Sequence, residues 1–182
     1  MLVRRSLPPK EVSDGLVRDC VELMRQEYGR NWATKTRPYD GVVAMLDQLQ
    51  DYGAVLAVLS NKPHAMTVKV VEHFFPARSF AAVLGARPGV PKKPSPQSAL
   101  ELARQLGIRP QHFLYLGDTD TDMRTAKAAG MRAIGAAWGF RTVEELLHSG
   151  ADKVVRHPAE MLDLLGRQLL RKGRENGDDT DS

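Results

Sequence analysis

Phe113-Leu-Tyr-Leu-Gly-Asp-Thr-Asp-Thr-Asp122 is the stretch on which the reading of the chain turns. Its four leading apolar residues suffice for a short buried parallel strand. Gly117 breaks that strand and leaves Asp118 at its carboxyl end, with Asp120 and Asp122 inside the next turn. Met123-Arg-Thr-Ala-Lys-Ala-Ala129 then predicts a helix ended by Gly130. In open α/β sheets, sites form beyond the carboxyl ends of the strands, so up to three carboxylates stand in such a crevice. Carboxylates there suit Mg²⁺, which takes one or two of them and fills its shell with water and phosphate. The same residues admit a simpler role. Asp at a strand-to-helix junction is a common N-cap, and Asp120 or Asp122 can serve as one. Taken alone, the stretch leaves the two roles even.

Outward from this unit the chain alternates. Ala54-Val-Leu-Ala-Val-Leu59 predicts a buried strand, Phe80–Leu84 a weaker one, and Met131–Ala137 another. Asp152–Val155 reads as a short edge strand. Between them lie helical stripes at Val42–Leu49, Met66–Phe74 and Ala99–Leu106. Thr142 with Glu145 three residues on is a capping box for a short helix. Residues 10–29 form an amphipathic stripe ended by Gly29, and Pro158 opens a last helix to about Leu170. Four prolines make 85–97 a loop. Strands alternating with helices mean parallel βα units, hence an α/β fold.

The totals narrow the class. A chain of 182 residues with 42% hydrophobic content holds one domain, or one with a small appendage. The single cysteine, Cys20, excludes an internal disulfide framework and a cysteine zinc cluster, and fits the cytoplasm. No apolar run reaches membrane-spanning length. The net charge of +4 comes from scattered residues without a stripe or interleaved aromatics, which argues against nucleic acid as partner. The five histidines show no ligand spacing.

Three polar clusters follow strands: Ser60-Asn61, Lys93, and Asp118 with Asp122. A hydroxyl and the first amides of a helix hold phosphoryl oxygens. A lysine offsets charge developing on a transferring phosphoryl group, and carboxylates seat Mg²⁺. Singly, each is better read as a cap or a loop residue, with Lys92 a decoy beside Lys93. Jointly, and in this order, they resemble a known family. Ser60-Asn61-Lys62, Lys93-Pro94-Ser95-Pro96 and Gly117-Asp118-Thr-Asp-Thr-Asp122 resemble the second, third and fourth motifs of haloacid-dehalogenase-type phosphatases. Pro38-Tyr39-Asp40-Gly41 and Trp138-Gly139-Phe140 are similar to the phosphoglycolate phosphatase branch. The resemblance implies a Mg²⁺-dependent hydrolase of a small phosphate monoester. Ser60 would hold the phosphoryl group, Asn61 would help orient it, and Lys93 would bridge phosphate and nucleophile. Asp118 would be a Mg²⁺ ligand and Asp122 a direct or outer one.

The family's first motif, Asp-x-Asp-Gly-Thr at the end of the first strand, supplies the nucleophile and is not found. Asp14-Gly15 and Asp40-Gly41 follow no apolar strand and read as turn and cap residues. The expectation is a chain that starts late. Residues 1–36 would be the remnant of a helical cap, 37–170 a Rossmann-like core lacking its central first strand, and 171–182 a disordered polar tail. An upstream segment would supply the missing strand. The 54–59 and 113–117 strands should then stand about 10 Å apart, or collapse into a pairing foreign to the family. Such a chain alone should show little turnover. A non-catalytic binding protein on this fold, or a pyrophosphatase or phosphomutase, are the alternatives. Trp138, Phe140 and Arg141 either border the site or pack.

Overall fold

The computed structural model describes Pro8 and residues 13–76 and 80–166. They divide into two compact units between Arg37 and Pro38. In the first, helix α1 spans Asp14–Asn31. Ser13 caps it from an extended conformation, its Oγ accepting the Leu16 N–H at 3.1 Å. One orphan amide of the first turn is thereby satisfied. The stripe predicted over 10–29 runs on past Gly29 to Asn31, because one glycine weakens a helix by only about 1 kcal/mol. Residues 10–12 of that expectation lie outside the described residues.

The second unit alternates as expected: α2 (Val42–Asp51), β1 (Ala57–Pro63), α3 (His64–Phe74), β2 (Ala82–Ala86), α4 (Gln97–Leu106), β3 (Leu114–Gly117), α5 (Asp120–Ala128), β4 (Arg132–Ala136), α6 (Val143–His148) and β5 (Lys153–Val155). Residues 160–166 are helical again. The rest of the predicted last helix and the polar tail lie outside the described residues. Thr142 and Glu145 form the predicted capping box on α6, with the Thr142 Oγ1 accepting Glu145 N–H and the Glu145 carboxylate accepting Thr142 N–H. All strand pairs are parallel. Helices cover both faces, as parallel strands require. On one face Leu114, Leu116, Ile134 and Val155 meet Met45 and Leu49 of α2 and Met161 and Leu164 of the last helix. On the other, Tyr115 and Ala133 meet α4, α5 and α6 through Ala99, Ala103, Met123, Ala126 and Leu146.

Among the described residues the strands form two sheets, β1-β2 and β3-β4-β5. No ladder joins β1 to β3. Parallel pairing sends the backbone groups of alternate residues to opposite sides, which fixes what each open edge presents. The Phe113 carbonyl accepts from Arg132 of β4, so Leu114 and Leu116 turn their N–H and C=O away from β4. The Leu56 carbonyl accepts from Ala81, so Ala57 and Leu59 turn theirs away from β2. The edges have a visible consequence in burial: β3 is half-buried throughout, whereas four of the five residues of β4 are buried. The two strands thus stand unpaired with each other, and no described strand lies between them.

β1 departs from its predicted bounds of 54–59. Ala54 still belongs to the exit of α2, its N–H donating to the Leu49 carbonyl at 2.9 Å. The ladder runs beyond Leu59 because a register shift brings Pro63 opposite Ala86. Ser60 and Asn61 therefore sit within the strand and not in the loop after it. At the far edge, Asp152 extends the sheet with its side chain. Its Oδ2 accepts the Ala133 N–H at 2.8 Å and its Oδ1 pairs with the Lys127 ammonium at 2.6 Å.

Two outcomes follow from these edges. In hydrogen exchange, the amides of Leu114 and Leu116 are expected to exchange faster than that of Tyr115, which faces β4. Equal protection of all three would mean that the edge of β3 is covered. Asp152→Ala leaves the fully buried Ala133 amide without its acceptor and should cost about 1–3 kcal/mol in urea unfolding. Burial works to raise the Asp152 carboxyl, but the Lys127 bond, the Ala133 amide and the Arg132 charge outweigh it and bring it below its ordinary 3.8. A carboxyl lowered on folding stabilises fully above its unfolded value and loses that contribution as the pH falls through the folded one. The wild type should accordingly lose stability below about pH 4 more steeply than Asp152→Asn.

Candidate active site

The sequence-selected residues converge at the carboxyl ends of β1 and β3. Lys93 is the centre. Its Nζ donates to the Leu59 carbonyl at 3.2 Å and to Asp122 Oδ1 at 2.6 Å. The ammonium thus touches the open edge of β1 and the first turn of α5, bridging the two sheets. Both partners of the ion pair are nearly buried, at 13% and 9% side-chain exposure. An ammonium carries three donors, so one remains for a ligand. Lys92, beside it, is exposed.

Asp122 is fully engaged. Its Oδ2 accepts the Thr119 N–H at 3.2 Å and the Thr119 hydroxyl at 2.6 Å, while Thr119 Oγ1 accepts the Asp122 N–H. Thr119 is therefore the N-cap of α5 and Asp122 the reciprocal member of a capping box. The expectation that Asp120 or Asp122 is the cap is corrected to this extent. The extended backbone of Thr119 sets its hydroxyl over the third residue of the helix. Asp120 does not join the cluster; it pairs with Arg124 along the surface of α5.

Asp118 is half-buried, and its Oδ2 accepts the Phe140 N–H at 3.1 Å. The loop after β4 holds it closely. A Cβ on Gly139 would fall on the Cβ and Oδ2 of Asp118, so only glycine fits. Gly117 is constrained likewise, since a Cβ there would fall on Asp122. Gly85 of β2 is pressed against Thr67, the His64 backbone and the Lys62 carbonyl, which seats the β1–α3 turn. These glycines and Thr119 escape a reading that looks for charged residues. The one signal in the sequence is a glycine amid bulky neighbours, as in Trp138-Gly139-Phe140. Trp138 packs into the core, Phe140 is 82% exposed, and Arg141 lies 3.7 Å from Glu145.

Ser60 Oγ accepts the Lys62 N–H at 3.1 Å, which leaves its own hydrogen to donate. Asn61 spends its amide elsewhere: Oδ1 accepts the Lys93 N–H at 2.9 Å and Nδ2 donates to the Lys93 carbonyl at 3.1 Å. Beneath the site, burial pushes the Tyr115 phenol well above its ordinary value, and the Asp122 charge adds to it. The phenol oxygen is buried without a hydrogen-bond partner among the described residues.

As a metal seat the donor set is hard and anionic, which suits Mg²⁺. Among the described residues, however, no group of three or more His, Cys, Asp or Glu side chains could hold an ion. Asp118 Oδ1 is open to a cation, whereas both Asp122 oxygens are occupied. One carboxylate, with water and phosphate completing the shell, is within what Mg²⁺ accepts.

Parallel βα units with polar groups gathered at the carboxyl ends of their strands define a Rossmann-like α/β architecture. Residues 3–136 match the family model of haloacid dehalogenase-like hydrolases, and the chain belongs to that family. It is 29% identical to phosphoglycolate phosphatase of Aquifex aeolicus, over 91% of this chain and 76% of that one. It is 31% identical to N-acetylmuramic acid 6-phosphate phosphatase of Pseudomonas aeruginosa, over 82% of this chain and 68% of that one. A crystal structure from Lactobacillus delbrueckii subsp. bulgaricus, assigned as a phosphoglycolate phosphatase, superimposes with a TM-score of 0.78 at 32% identity. That match covers 85% of this chain and 64% of the solved one, so the chain spans about two thirds of its length.

Gly139→Ala tests the seating of Asp118. Overpacking at this contact should cost about 1–3 kcal/mol in urea unfolding. Gly29→Ala, in a helix with nothing within 4 Å of the added methyl, should instead stabilise by up to about 1 kcal/mol. Equal effects of the two would mean that Gly139 does not carry Asp118.

Proposed function

We propose that this chain contributes the phosphoryl-holding and metal-side half of a Mg²⁺-dependent phosphatase acting on a small phosphate monoester, with a 2-phosphoglycolate-like substrate as the leading choice. The observation that carries this reading is the placement of Lys93: its ammonium, nearly buried and paired to Asp122, keeps one donor for a ligand at the mouth of the strands. The names of the relatives support the substrate class and differ among themselves in the ester. A cytoplasmic location goes with this reading. No helix among the described residues is long and apolar enough to cross a membrane.

In this mechanism Ser60 donates its hydroxyl hydrogen to a phosphoryl oxygen, and Lys93 offsets the charge growing on the group in flight. Asp118 would hold the cation, Oδ1 being the carboxylate oxygen not given to Phe140. Asp122, with its oxygens given to Lys93 and Thr119, serves from behind that first layer and keeps the lysine aimed. Bound Mg²⁺ would supply charge stabilisation to the phosphoryl oxygens. The family's attacking group is a carboxylate. Its oxygen would bond phosphorus as the ester P–O bond breaks, and water would then hydrolyse the acyl phosphate. No residue of this sequence matches the motif that supplies it, so the chain alone is expected to turn over substrate at background rates. Loss of a nucleophile removes several orders of magnitude.

The test has two arms. Inorganic phosphate should bind the full chain more tightly with Mg²⁺ present than absent, and Asp118→Asn should abolish that difference in calorimetry. Absence of phosphate binding would defeat the phosphoryl reading. Turnover of 2-phosphoglycolate should stay near background, and robust turnover would show that a residue of this chain is the nucleophile. The edges of β1 and β3, unpaired among the described residues, favour one second reading, a non-catalytic protein that binds a partner strand.

A further inference from the structure

The segment that carries Lys93 is poorly able to hold itself. Pro91, Pro94 and Pro96 have no amide hydrogen, and no strand ladder reaches the loop. Its own turns contribute Val90 N–H to the Arg87 carbonyl and Ser95 N–H to the Lys92 carbonyl; the second encloses Lys93 but takes neither its N–H nor its carbonyl. The Lys93 peptide groups are instead both taken by one side chain, Asn61, which lies 32 residues earlier in the last part of β1. A carboxamide offers one acceptor and one donor side by side, which matches the N–H and C=O of a single residue.

We infer that Asn61 is a positioning residue that acts through Lys93 and does not touch the phosphoryl group. Its carboxamide fixes the Lys93 backbone to β1, directly after Ser60. The hydroxyl of Ser60 and the ammonium of Lys93 are thereby held at a constant separation before any ligand arrives. The far end of the lysine is held separately by Leu59 and Asp122. Backbone and ammonium are thus pinned from two sides, and little freedom is left to lose on binding an anion. This rests on the phosphatase reading only for the identity of the anion; the clamp itself is a matter of the two contacts.

The experiment reads the lysine directly. The full chain and its Asn61→Ala variant are treated with a small amine-acylating reagent, and modification at each lysine is followed by mass spectrometry. Lys92 is the internal standard, being exposed and one residue away. Labelling of Lys93 relative to Lys92 should rise roughly tenfold in Asn61→Ala, a change of about 1.4 kcal/mol. Asn61→Asp, which keeps the acceptor for the Lys93 N–H but cannot donate to its carbonyl, should rise by less. An unchanged Lys93/Lys92 ratio would overturn the inference. So would a variant that labels every lysine faster, because Asn61 would then be supporting the fold at large. A selective rise in a chain that fails to bind inorganic phosphate would leave the clamp standing and remove the phosphoryl reading instead.

Discussion

The ion pair between Lys93 and Asp122 is the contact on which the site depends. It lies where two sheets end without joining, and it is nearly dry. A buried pair stabilises a fold little, because desolvating both charges offsets most of their attraction. What it does is specify position. The desolvation is tolerable here because each partner has further hydrogen bonds: Leu59 for the ammonium, Thr119 twice for the carboxylate. Removing either charge would strand the other, typically at about 3–5 kcal/mol. The arrangement is therefore all or nothing, and its parts come from β1, the proline loop and the start of α5.

Close backbone approach is the second constraint. Asp118 and Asp122 are each packed against a glycine, one from the loop after β4 and one from the end of β3. The carboxylates are aimed by contact with main chain more than by their own rotamer preferences. Main-chain walls do not yield to a ligand as side chains do. The site is in this respect pre-shaped, which is what electrostatic stabilisation of a transferring group requires.

Much of this was legible from residue order. The apolar run at 113–117 with its aspartates, the alternation of strands and helices, and the Thr142/Glu145 cap each declare themselves within a few neighbours. Ser60, Lys93 and Asp118 stand out only jointly, through the order of three motifs that resembles the family's. What was not legible is what depends on distant partners. The apolar run 54–59 marks a strand but cannot say that Ala54 closes the preceding helix or that pairing continues to Pro63. Nothing near Asn61 announces a bond to a residue 32 positions away. Asp120 and Asp122 are the cap candidates by residue type, whereas Thr119 is the cap. Gly139 sat in a stretch singled out for its aromatics, yet the glycine is what the carboxylate needs.

The divided sheet has a bearing on how the molecule opens. Hydrogen-bond ladders transmit cooperativity, and among the described residues none joins β1 to β3. The two larger cores, including Met123, Ile134, Leu146 and Leu164, lie on β3, β4 and β5, and Leu56 and Leu59 of the β1 side pack against them. Among the described residues the β1–β2 side has the smaller buried cluster, Ala82, Leu84 and Leu102. Local unfolding starts where buried contacts are fewest. α4 ties the two sheets together, with Ala99 and Ala103 in the cluster on β3 and β4 and Leu102 in the cluster on β2, so opening of the β1–β2 side, which carries Ser60 and Asn61, would have to disturb that helix as well. A ligand or chain segment that contacts both sheets would therefore stabilise the whole molecule by linkage, in proportion to how much better it binds the folded state than the unfolded one.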